Sequence, residues 1–290
     1  MTFSLSPTPD GVDLVVTGDW TPQARERITA GEADGLVLNY AKGFHEPDID
    51  FIAGLPIRRL HILDRTLKDL TPVHTLGASL VTLHVQSDPR ATIELERLPR
   101  LTHLSASWPQ VHGSIRYAQE LERLFLLSYT EPDLTPLSHL PGLTSIVMKD
   151  YPAVHSLDGA QDLPWLAELG IHLAKHLDDI SALDHPSSLL LNTLQLTHCK
   201  KIADITAVAA CPSLTYLNLS ENGNLTSAAP LAGLRRLEKL YLYGSTNILD
   251  GDLTPIAGLP RLNDFRMQDR RHYQPSARDI EAAIAARNQP

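Results

Sequence analysis

Three histidines are spaced so that they could bind a metal ion together. His61 and His84 occupy equivalent positions in two neighbouring sequence repeats, and His103 lies two positions earlier in the next repeat. Adjacent strands of a sheet lie roughly 4.8 Å apart, and neutral imidazoles can ligate zinc. A metal-dependent enzyme built on these histidines is therefore one hypothesis. Because no carboxylate or thiolate completes the ligand set, we favour a polar patch that contacts a partner, and we predict no bound metal and no cofactor.

Other reactive residue types fall where the repeat itself explains them. Cys199 and Cys211 occupy repeat positions that predict buried, unreactive side chains. Aspartates recur two residues before a threonine or serine, which is typical of a turn; these are Asp69, Asp133, Asp179, Asp204 and Asp252. The sequence has no closely spaced carboxylate pair and no glycine-rich phosphate motif. We therefore predict no catalytic residues, and chemistry in the segment 105–120, where the repeat shortens, is the second form of the enzyme hypothesis.

The pattern L-x-x-L-x-L, with conservative replacements, recurs along most of the chain. Its copies begin at Ile57, Leu80, Leu101, Leu121, Leu143, Leu166, Leu191, Leu214, Leu237 and Leu262, after a weaker copy at Ala33. Successive copies start 20 to 25 residues apart. In a strand, the fourth and sixth residues point to one side and the third, fifth and seventh to the other. Since one unit cannot bury its apolar side alone, about eleven units are predicted to stack around a continuous core.

The second half of the repeat carries a segment that resembles D-L-T-P-L. It occurs at 67–73, 132–137, 178–183, 203–208 and 251–256. A hydroxyl residue followed by proline is typical of a helix start, because the hydroxyl caps free amides and proline lacks the amide that would stay unpaired. We therefore predict short helical turns whose N-caps are Thr71, Thr135, Ser181, Thr206 and Thr254.

Over residues 33–268 these two segments resemble the internalin-like class of leucine-rich-repeat proteins, and similar cytoplasmic phosphatase-regulator repeats. The resemblance implies an α/β solenoid, a right-handed superhelix with a parallel β-sheet on its concave side and short 3-10 or helical turns on its convex side. The ninth repeat position departs from the class: Asn222 and Cys199 fit it, and most other repeats do not. Members of the class bind unrelated proteins, so the resemblance is specific for the fold.

The residues outside the array predict a lid at each end, because terminal repeats would otherwise expose their core. Residues 1–32 predict a cap made of a β-hairpin over 3–17 and a helix that starts after Thr21. Residues 269–290 predict a capping helix that starts after Ser276. The array itself spans 33–268.

Composition restricts the classes of partner. The chain has 290 residues and a net charge of −9, from 25 basic and 34 acidic residues, which disfavours a nucleic-acid partner. No apolar run is long enough to span a membrane, and the first residues do not resemble a secretion signal. Two cysteines in 290 residues fit a reducing compartment. We therefore expect a cytoplasmic monomer that binds neither nucleic acid nor a membrane.

The outward side of the predicted sheet is the remaining candidate site, since it displays aromatic and basic side chains typical of protein interfaces. The predicted partner-binding residues are Arg59, His61, His84, His103, Trp108, Arg123, Phe125, Tyr129, Lys149, Tyr151, Tyr216, Lys239, Tyr241 and Tyr243. The sequence thus predicts a non-catalytic scaffold that binds another protein through its concave face. An inhibitor or immunity-type protein is a narrower form of this hypothesis, and a carbohydrate-binding module that uses the tyrosines is the other alternative.

Overall fold

The computed structural model describes residues 2–186 and 190–287 and confirms an α/β architecture of parallel strands and short helical turns. The chain divides into two compact units, Met1–Leu126 and Leu127–Pro290. The domain boundaries and the right-handed coiling expected from the sequence stay predictions. Residues 288–290 of the expected C-terminal cap lie outside the described part of the chain.

In the first unit, seven strands follow one another in a single sheet in sequence order. They are β1 (Phe3–Thr8), β2 (Gly11–Val16), β3 (Gly35–Asn39), β4 (Arg59–Leu63), β5 (Thr82–Gln86), β6 (His103–Ser107) and β7 (Arg123–Leu127), and the division between the units falls inside β7. The pair β1–β2 is antiparallel, and the pairs from β2 to β6 are parallel. The helices are α1 (Pro22–Thr29) and α2 (Trp108–Val111), with 3-10 turns at Tyr40–Lys42, Asp50–Ile52, Thr71–Leu76, Leu95–Arg97 and Ile115–Tyr117.

The second unit repeats this arrangement with parallel strands only. Its sheet has β8 (Ser145–Lys149), β9 (Glu168–His172), β10 (Thr193–Thr197), β11 (Tyr216–Asn218), β13 (Lys239–Leu242) and β15 (Asp264–Met267) in that order. The short strands β12 (Asn224–Leu225) and β14 (Asn247–Ile248) form a separate parallel pair. The helices are α3 (Thr254–Ala257) and α4 (Ala277–Arg287), with 3-10 turns at Thr135–Leu137, Ala160–Asp162, Ser181–Leu183, Thr206–Ala210 and Ala229–Gly233.

Leucines at the fourth repeat position lie in register and form the core beneath each sheet. In the first unit Leu36, Leu60, Leu83 and Leu104 pair in that order, and in the second Leu169, Leu194, Leu217 and Leu240 do so. All eight are buried. Since burying one leucine contributes about 1.5–3 kcal/mol, the register of the strands is strongly specified by these rows. The predicted inward direction of the fourth residue is therefore confirmed.

The terminal elements predicted from the sequence are present. The hairpin β1–β2 precedes α1, where the Thr21 side chain accepts a hydrogen bond of 3.3 Å from the amide of Ala24. At the other end Ser276 Oγ accepts a hydrogen bond of 3.1 Å from the amide of Asp279 in the first turn of α4. Among the described residues, no helix is long and apolar enough to cross a membrane.

The predicted capping by threonine and serine hydroxyls is wrong. The carboxylate of the aspartate two residues earlier accepts the hydrogen bond from the first amide of the helical turn. The helical turn begins at the hydroxyl residue itself, as at Thr71, whose amide donates to Asp69 Oδ1 over 2.8 Å. The same bond joins the amides of Thr135, Ser181, Thr206 and Thr254 to Asp133, Asp179, Asp204 and Asp252. The turn role predicted for these aspartates is confirmed. Hydrogen bonds from the following hydroxyl residue also lower the pKa of Asp69 and Asp204.

Candidate functional site

Arg59 is predicted to bind a partner, but the structure buries it in an internal ion network, and only 6% of the residue is exposed. Its guanidinium forms a bidentate contact with Asp34, with bonds of 2.7 and 2.9 Å. It also donates to Asp13 Oδ1 over 3.1 and 3.2 Å and to the carbonyl of Asp10 over 2.6 Å. These bonds use all five donors of the guanidinium. Arg59 therefore fastens the N-terminal hairpin to the repeats, and its predicted exposure is corrected.

Two glycines make room for this network. A Cβ atom on Gly35 would lie 1.9 Å from Asp13 Oδ1, and one on Gly11 would lie 2.5 Å from Asp34 Oδ1. Gly11 also has a φ of +138°, a conformation that other residues rarely adopt. The sequence pattern does not reveal that these two positions must be glycine, because Gly11 and Gly35 lie on different strands and meet the ion network only in the folded chain.

Two predicted aromatic anchors are also buried. Trp108 starts α2 directly after β6 and is 3% exposed, since the capping box of Ser107 and Gln110 turns the chain inward there. Tyr129 is fully buried, and its hydroxyl donates to the carbonyl of Asp133 over 2.7 Å. Burial raises the pKa of Tyr129. Both residues stabilise the core where the strand turns into the next segment, so their predicted surface role is wrong.

The structure brings two of the three predicted histidines together. The rings of His61 and His84 lie side by side on β4 and β5, with centroids 4.4 Å apart. His103 pairs in register with Thr82, in the neighbouring row of the sheet, and its Nδ1 lies 2.8 Å from Thr102 Oγ1. In the described ranges, no group of three or more histidine, cysteine, aspartate or glutamate residues is arranged to hold a metal ion.

A cavity of about 390 Å³ opens over the His61–His84 pair. We call it the histidine pocket; its polar lining comprises Asp13, Asn39, Lys42, His61, His84, Gln86 and Ser105. Loss of hydration lowers the pKa of both imidazoles, and the pKa of His84 falls to about 4. The His84 residue as a whole remains exposed to solvent.

Four further predicted residues lie fully or partly at the surface. In β7, Arg123 is exposed and Phe125 is partly buried. In the second unit Lys149 is exposed at the end of β8, and Tyr151 is 56% exposed. The Lys175 ammonium lies 4.5 Å from the centre of the Tyr151 ring, which is the geometry of a cation–π contact.

The densest group of predicted residues lies on β11 and β13 in the second unit. The rings of Tyr216 and Tyr241 meet edge to face, with centroids 5.3 Å apart. The Arg266 guanidinium from β15 lies 4.6 Å from the centre of the Tyr241 ring. The Tyr241 hydroxyl donates to Asp264 Oδ2 over 2.5 Å, which raises the pKa of Tyr241 and lowers that of Asp264. Tyr241 is therefore held in place from three sides.

Tyr243 extends this group towards α4. It is 47% exposed and lines a cavity of about 400 Å³ together with Arg266, Gln268 and Glu281. Lys239 is exposed on the same strand, as the alternation of the repeat predicts. We call Tyr216, Lys239, Tyr241, Tyr243 and Arg266 the tyrosine surface.

Backbone geometry holds the outer rows of the second unit in place. The residue after the seventh repeat position has a left-handed backbone in successive repeats: Ser128, Asp150, Leu173, His198 and Glu221 have φ between 53° and 66°, and Gly244 has φ of 72°. The amides of Ser128, Leu173, His198 and Glu221 donate to the following repeat, Glu221 to the carbonyl of Tyr243 over 3.1 Å. Left-handed backbone is rare outside glycine. Its recurrence here fixes the position of Tyr243 at the end of its strand.

The ninth repeat position is polar and buried in part of the second unit. Asn222 accepts a hydrogen bond of 2.8 Å from the amide of Cys199 and donates one of 2.8 Å to the carbonyl of Leu196. Thr246 continues the row by accepting from the amide of Asn222 over 3.0 Å. Cys199 and Cys211 are fully buried, which confirms their predicted placement, and burial raises the pKa of each thiol to about 12.

Sequence reasoning missed two kinds of site residue. Arg266 occupies the outward fifth position of the repeat that begins at Leu262, so the repeat pattern already contained the signal that places it beside Tyr241. Lys42 and Asn39 reach the histidine pocket from the turn after β3. Their positions depend on the path of a connecting segment, which the strand pattern does not describe.

Comparison with known proteins supports the same architecture. Residues 212–260 match the family described as leucine-rich repeats in two copies. A Roc-COR-CHAT protease from an unknown prokaryotic organism is 31% identical over 130 residues, which is 44% of this chain. The matched part spans only 12% of that relative's length.

Two solved structures are similar over most of the chain. An internalin from Listeria monocytogenes has a TM-score of 0.58 at 19% identity, covering 90% of this chain and 83% of its own. The leucine-rich-repeat ectodomain of the Arabidopsis thaliana receptor kinase GASSHO1/SCHENGEN3 has a TM-score of 0.53 at 18% identity, covering 87% of this chain and 31% of its own. At these identities the likeness concerns the fold. The chain thus has the leucine-rich-repeat fold that the internalins also have, as its sequence pattern predicted.

Proposed function

We propose that this chain is a non-catalytic binding module that recognises another protein through the tyrosine surface. The observation that carries the proposal is the arrangement of Tyr216, Tyr241 and Tyr243, which present aromatic area on the outward side of the sheet. Tyrosine and arginine are the side chains that most often dominate binding energy at protein interfaces. The tyrosine surface contains both.

The tyrosine surface is ordered before any partner binds. Tyr241 is held by Tyr216, Asp264 and Arg266, and the backbone of Tyr243 is held by Glu221. Ordering a side chain at an interface costs about 0.5–1.5 kcal/mol, so a surface that is already ordered binds more tightly for the same contacts. Tyr243 lacks such side-chain partners among the described contacts and is the proposed anchor that enters a pocket of the partner.

The fold and the reactive groups support a scaffold rather than an enzyme. Both cysteines are buried with raised pKa values, and the third histidine stands apart from the His61–His84 pair. The plant receptor ectodomain with the same fold was solved in complex with CASPARIAN STRIP INTEGRITY FACTOR 2. For the present chain, a protein partner is our proposal.

The test is affinity capture from the native lysate with the full chain, followed by titration of the captured protein. Tyr243→Ala should weaken binding by roughly 1–4 kcal/mol, the range expected for an anchor residue. The matched control is Tyr117→Ala, which removes an exposed tyrosine from the 3-10 turn Ile115–Tyr117 of the first unit.

Equal affinities for the two variants would refute the tyrosine surface as the binding site. A glycan array separates the carbohydrate alternative, since glycan binding that is lost in Tyr243→Ala would replace the protein proposal. If the captured protein is an enzyme or toxin, its activity with and without the chain tests the inhibitor form of the proposal.

A further inference from the structure

The histidine pocket is a second concave site, and it lies wholly within the first unit. Its cavity of about 390 Å³ is bounded by the strands from β2 to β6 and by the turn after β3. None of the residues of the tyrosine surface lines it. Whatever occupies the pocket is therefore independent of the function proposed above.

Hydrogen-bond donors dominate the pocket. Lys42 supplies an ammonium group, His61 and His84 each supply a ring N–H, and Gln86 and Ser105 supply an amide and a hydroxyl. Asn39 Oδ1 already accepts from the amide of Ala41 over 2.8 Å, which orients the asparagine side chain. The carboxylate in the lining, Asp13, is engaged by Arg59.

We propose that the histidine pocket binds an oxyanion, with Lys42, His61 and His84 as the groups that hold it. Oxyanions are carboxylates or phosphoryl groups, and both accept several charge-assisted hydrogen bonds from converging donors. A metal ion fits the pocket less well, because structural and catalytic sites use three or four protein ligands. The pocket offers two imidazoles, its Asp13 carboxylate is paired with Arg59, and no group of three metal-ligating residues is arranged to hold an ion among the described residues.

Charge balance makes this binding dependent on pH. Asp13 and Asp34 with Arg59 carry one net negative charge, and Lys42 offsets it. Loss of hydration is the main cause of the lowered pKa of both imidazoles. For His61, Asp13 raises the pKa, whereas Arg59 and Lys42 lower it. For His84, His61 and His103 lower the pKa further. The empty pocket is therefore close to neutral at neutral pH. An incoming oxyanion favours the charged imidazole, so binding takes up a proton.

Nuclear magnetic resonance of histidine-labelled full-length chain tests the proposal directly. Sodium acetate and inorganic phosphate are titrated separately, with chloride at matched ionic strength as the reference. We expect saturable shifts of the His61 and His84 ring signals with at least one of the two anions. Binding should tighten by up to about tenfold for each unit by which the pH falls below the ordinary histidine pKa. A response to phosphate alone assigns a phosphoryl group, and a response to acetate assigns a carboxylate.

Two variants distinguish a specific site from general attraction. Lys42→Gln should weaken binding about tenfold or more, and His84→Gln should reduce the pH dependence. The control Lys68→Gln removes an exposed lysine of the same unit that does not line the pocket. The proposal is overturned if neither anion gives saturable shifts, if Lys68→Gln weakens binding as much as Lys42→Gln, or if only zinc chloride shifts the two ring signals.

Discussion

The two compact units differ in how the chain leaves each strand of the sheet. In the first unit Ser87 and Asp88 follow β5 and are buried, and Gln110 donates to Ser87 Oγ over 2.7 Å and to the carbonyl of Asp88 over 3.3 Å. In the second unit the residues that follow the strands have left-handed backbones, and Asp150 and His198 among them are exposed. Main-chain hydrogen bonds occur at strand ends of both units, from Asp64 to the carbonyl of Gln86 and from Glu221 to that of Tyr243, so the difference lies in the backbone conformation.

The two units also differ in which outward side chains remain available for binding. The first unit uses Arg59 and Trp108 to build its interior, although both follow the pattern of surface residues. Arg59 is buried by its bonds to Asp13 and Asp34. The second unit keeps Lys239 and Tyr243 exposed. Units that share a repeat can therefore present different side chains on the same side of their strands.

The largest effect is expected at the ion network of the first unit. Arg59→Met leaves Asp13 and Asp34 without their cation, and removing one member of a buried ion group costs about 3–5 kcal/mol. Urea unfolding should show this loss, whereas Arg65→Met, at an exposed site, should change the free energy of unfolding by less than about 0.5 kcal/mol. If both variants had similar free energies of unfolding, Arg59 would not stabilise the fold and would again be a candidate partner-binding residue.

The next effect is expected in the polar row of the second unit. Asn222→Ala removes the acceptor of the Cys199 amide and the donor to the Leu196 carbonyl. Each buried group left unpaired costs about 1–3 kcal/mol, so we expect a loss of about 2–4 kcal/mol in urea unfolding. The exposed Asn263→Ala is the control. A loss no greater than that of the control would show that water replaces the asparagine side chain.

A pair of substitutions compares the strand ends themselves. At His198, where φ is 58°, His198→Gly should be more stable than His198→Ala by about 1 kcal/mol, because only glycine adopts this conformation without strain. At Asp64, the equivalent residue after β4, which has no left-handed backbone, the order should reverse by about 0.4–1 kcal/mol, since glycine gains more freedom on unfolding. The same order at both sites in urea unfolding would contradict the proposed difference between the units.

The smallest effect concerns acid. The pKa of His84 is about 4 in the folded chain and about 6.5 when unfolded, so the unfolded chain binds the proton first as pH falls. This contribution to stability is complete above pH 6.5 and is lost as the pH falls to about 4. His84→Gln should flatten the pH dependence of urea unfolding in that window. Equal slopes in the unchanged chain and in His84→Gln would mean that His84 keeps its ordinary pKa.

Much of the architecture was predictable because the strands obey a period of two within a repeat of 20 to 25 residues. The inward leucines, the outward Tyr241 and Tyr243, the helices after Thr21 and Ser276, and the buried cysteines all follow from that pattern and from local capping chemistry. These features depend on residues close together in sequence, or on one row of equivalent positions.

The errors concern contacts between segments that the pattern does not relate. Arg59 is 46 residues from Asp13 and is buried only because Gly11 and Gly35 leave space for it. Tyr129 lies just past a strand, where a left-handed Ser128 redirects the chain. The turn role of the aspartates was predicted correctly. Each helical turn, however, begins one residue earlier than predicted, at the hydroxyl residue itself, so its first amide is bonded by the preceding aspartate, as at Thr71 and Asp69.

The hairpin at the start of the chain also has a consequence for solubility. β1 is the outermost strand of its sheet, and one of its sides has no strand beside it among the described residues. Its sequence FSLSPT alternates serine with larger side chains, and Pro7 has no amide hydrogen to offer. A strand from a second molecule that approached this edge would meet Ser4 and Ser6 beside the exposed Leu5, and an incomplete row of donors. The missing amide of Pro7 thereby disfavours edge-to-edge aggregation through β1.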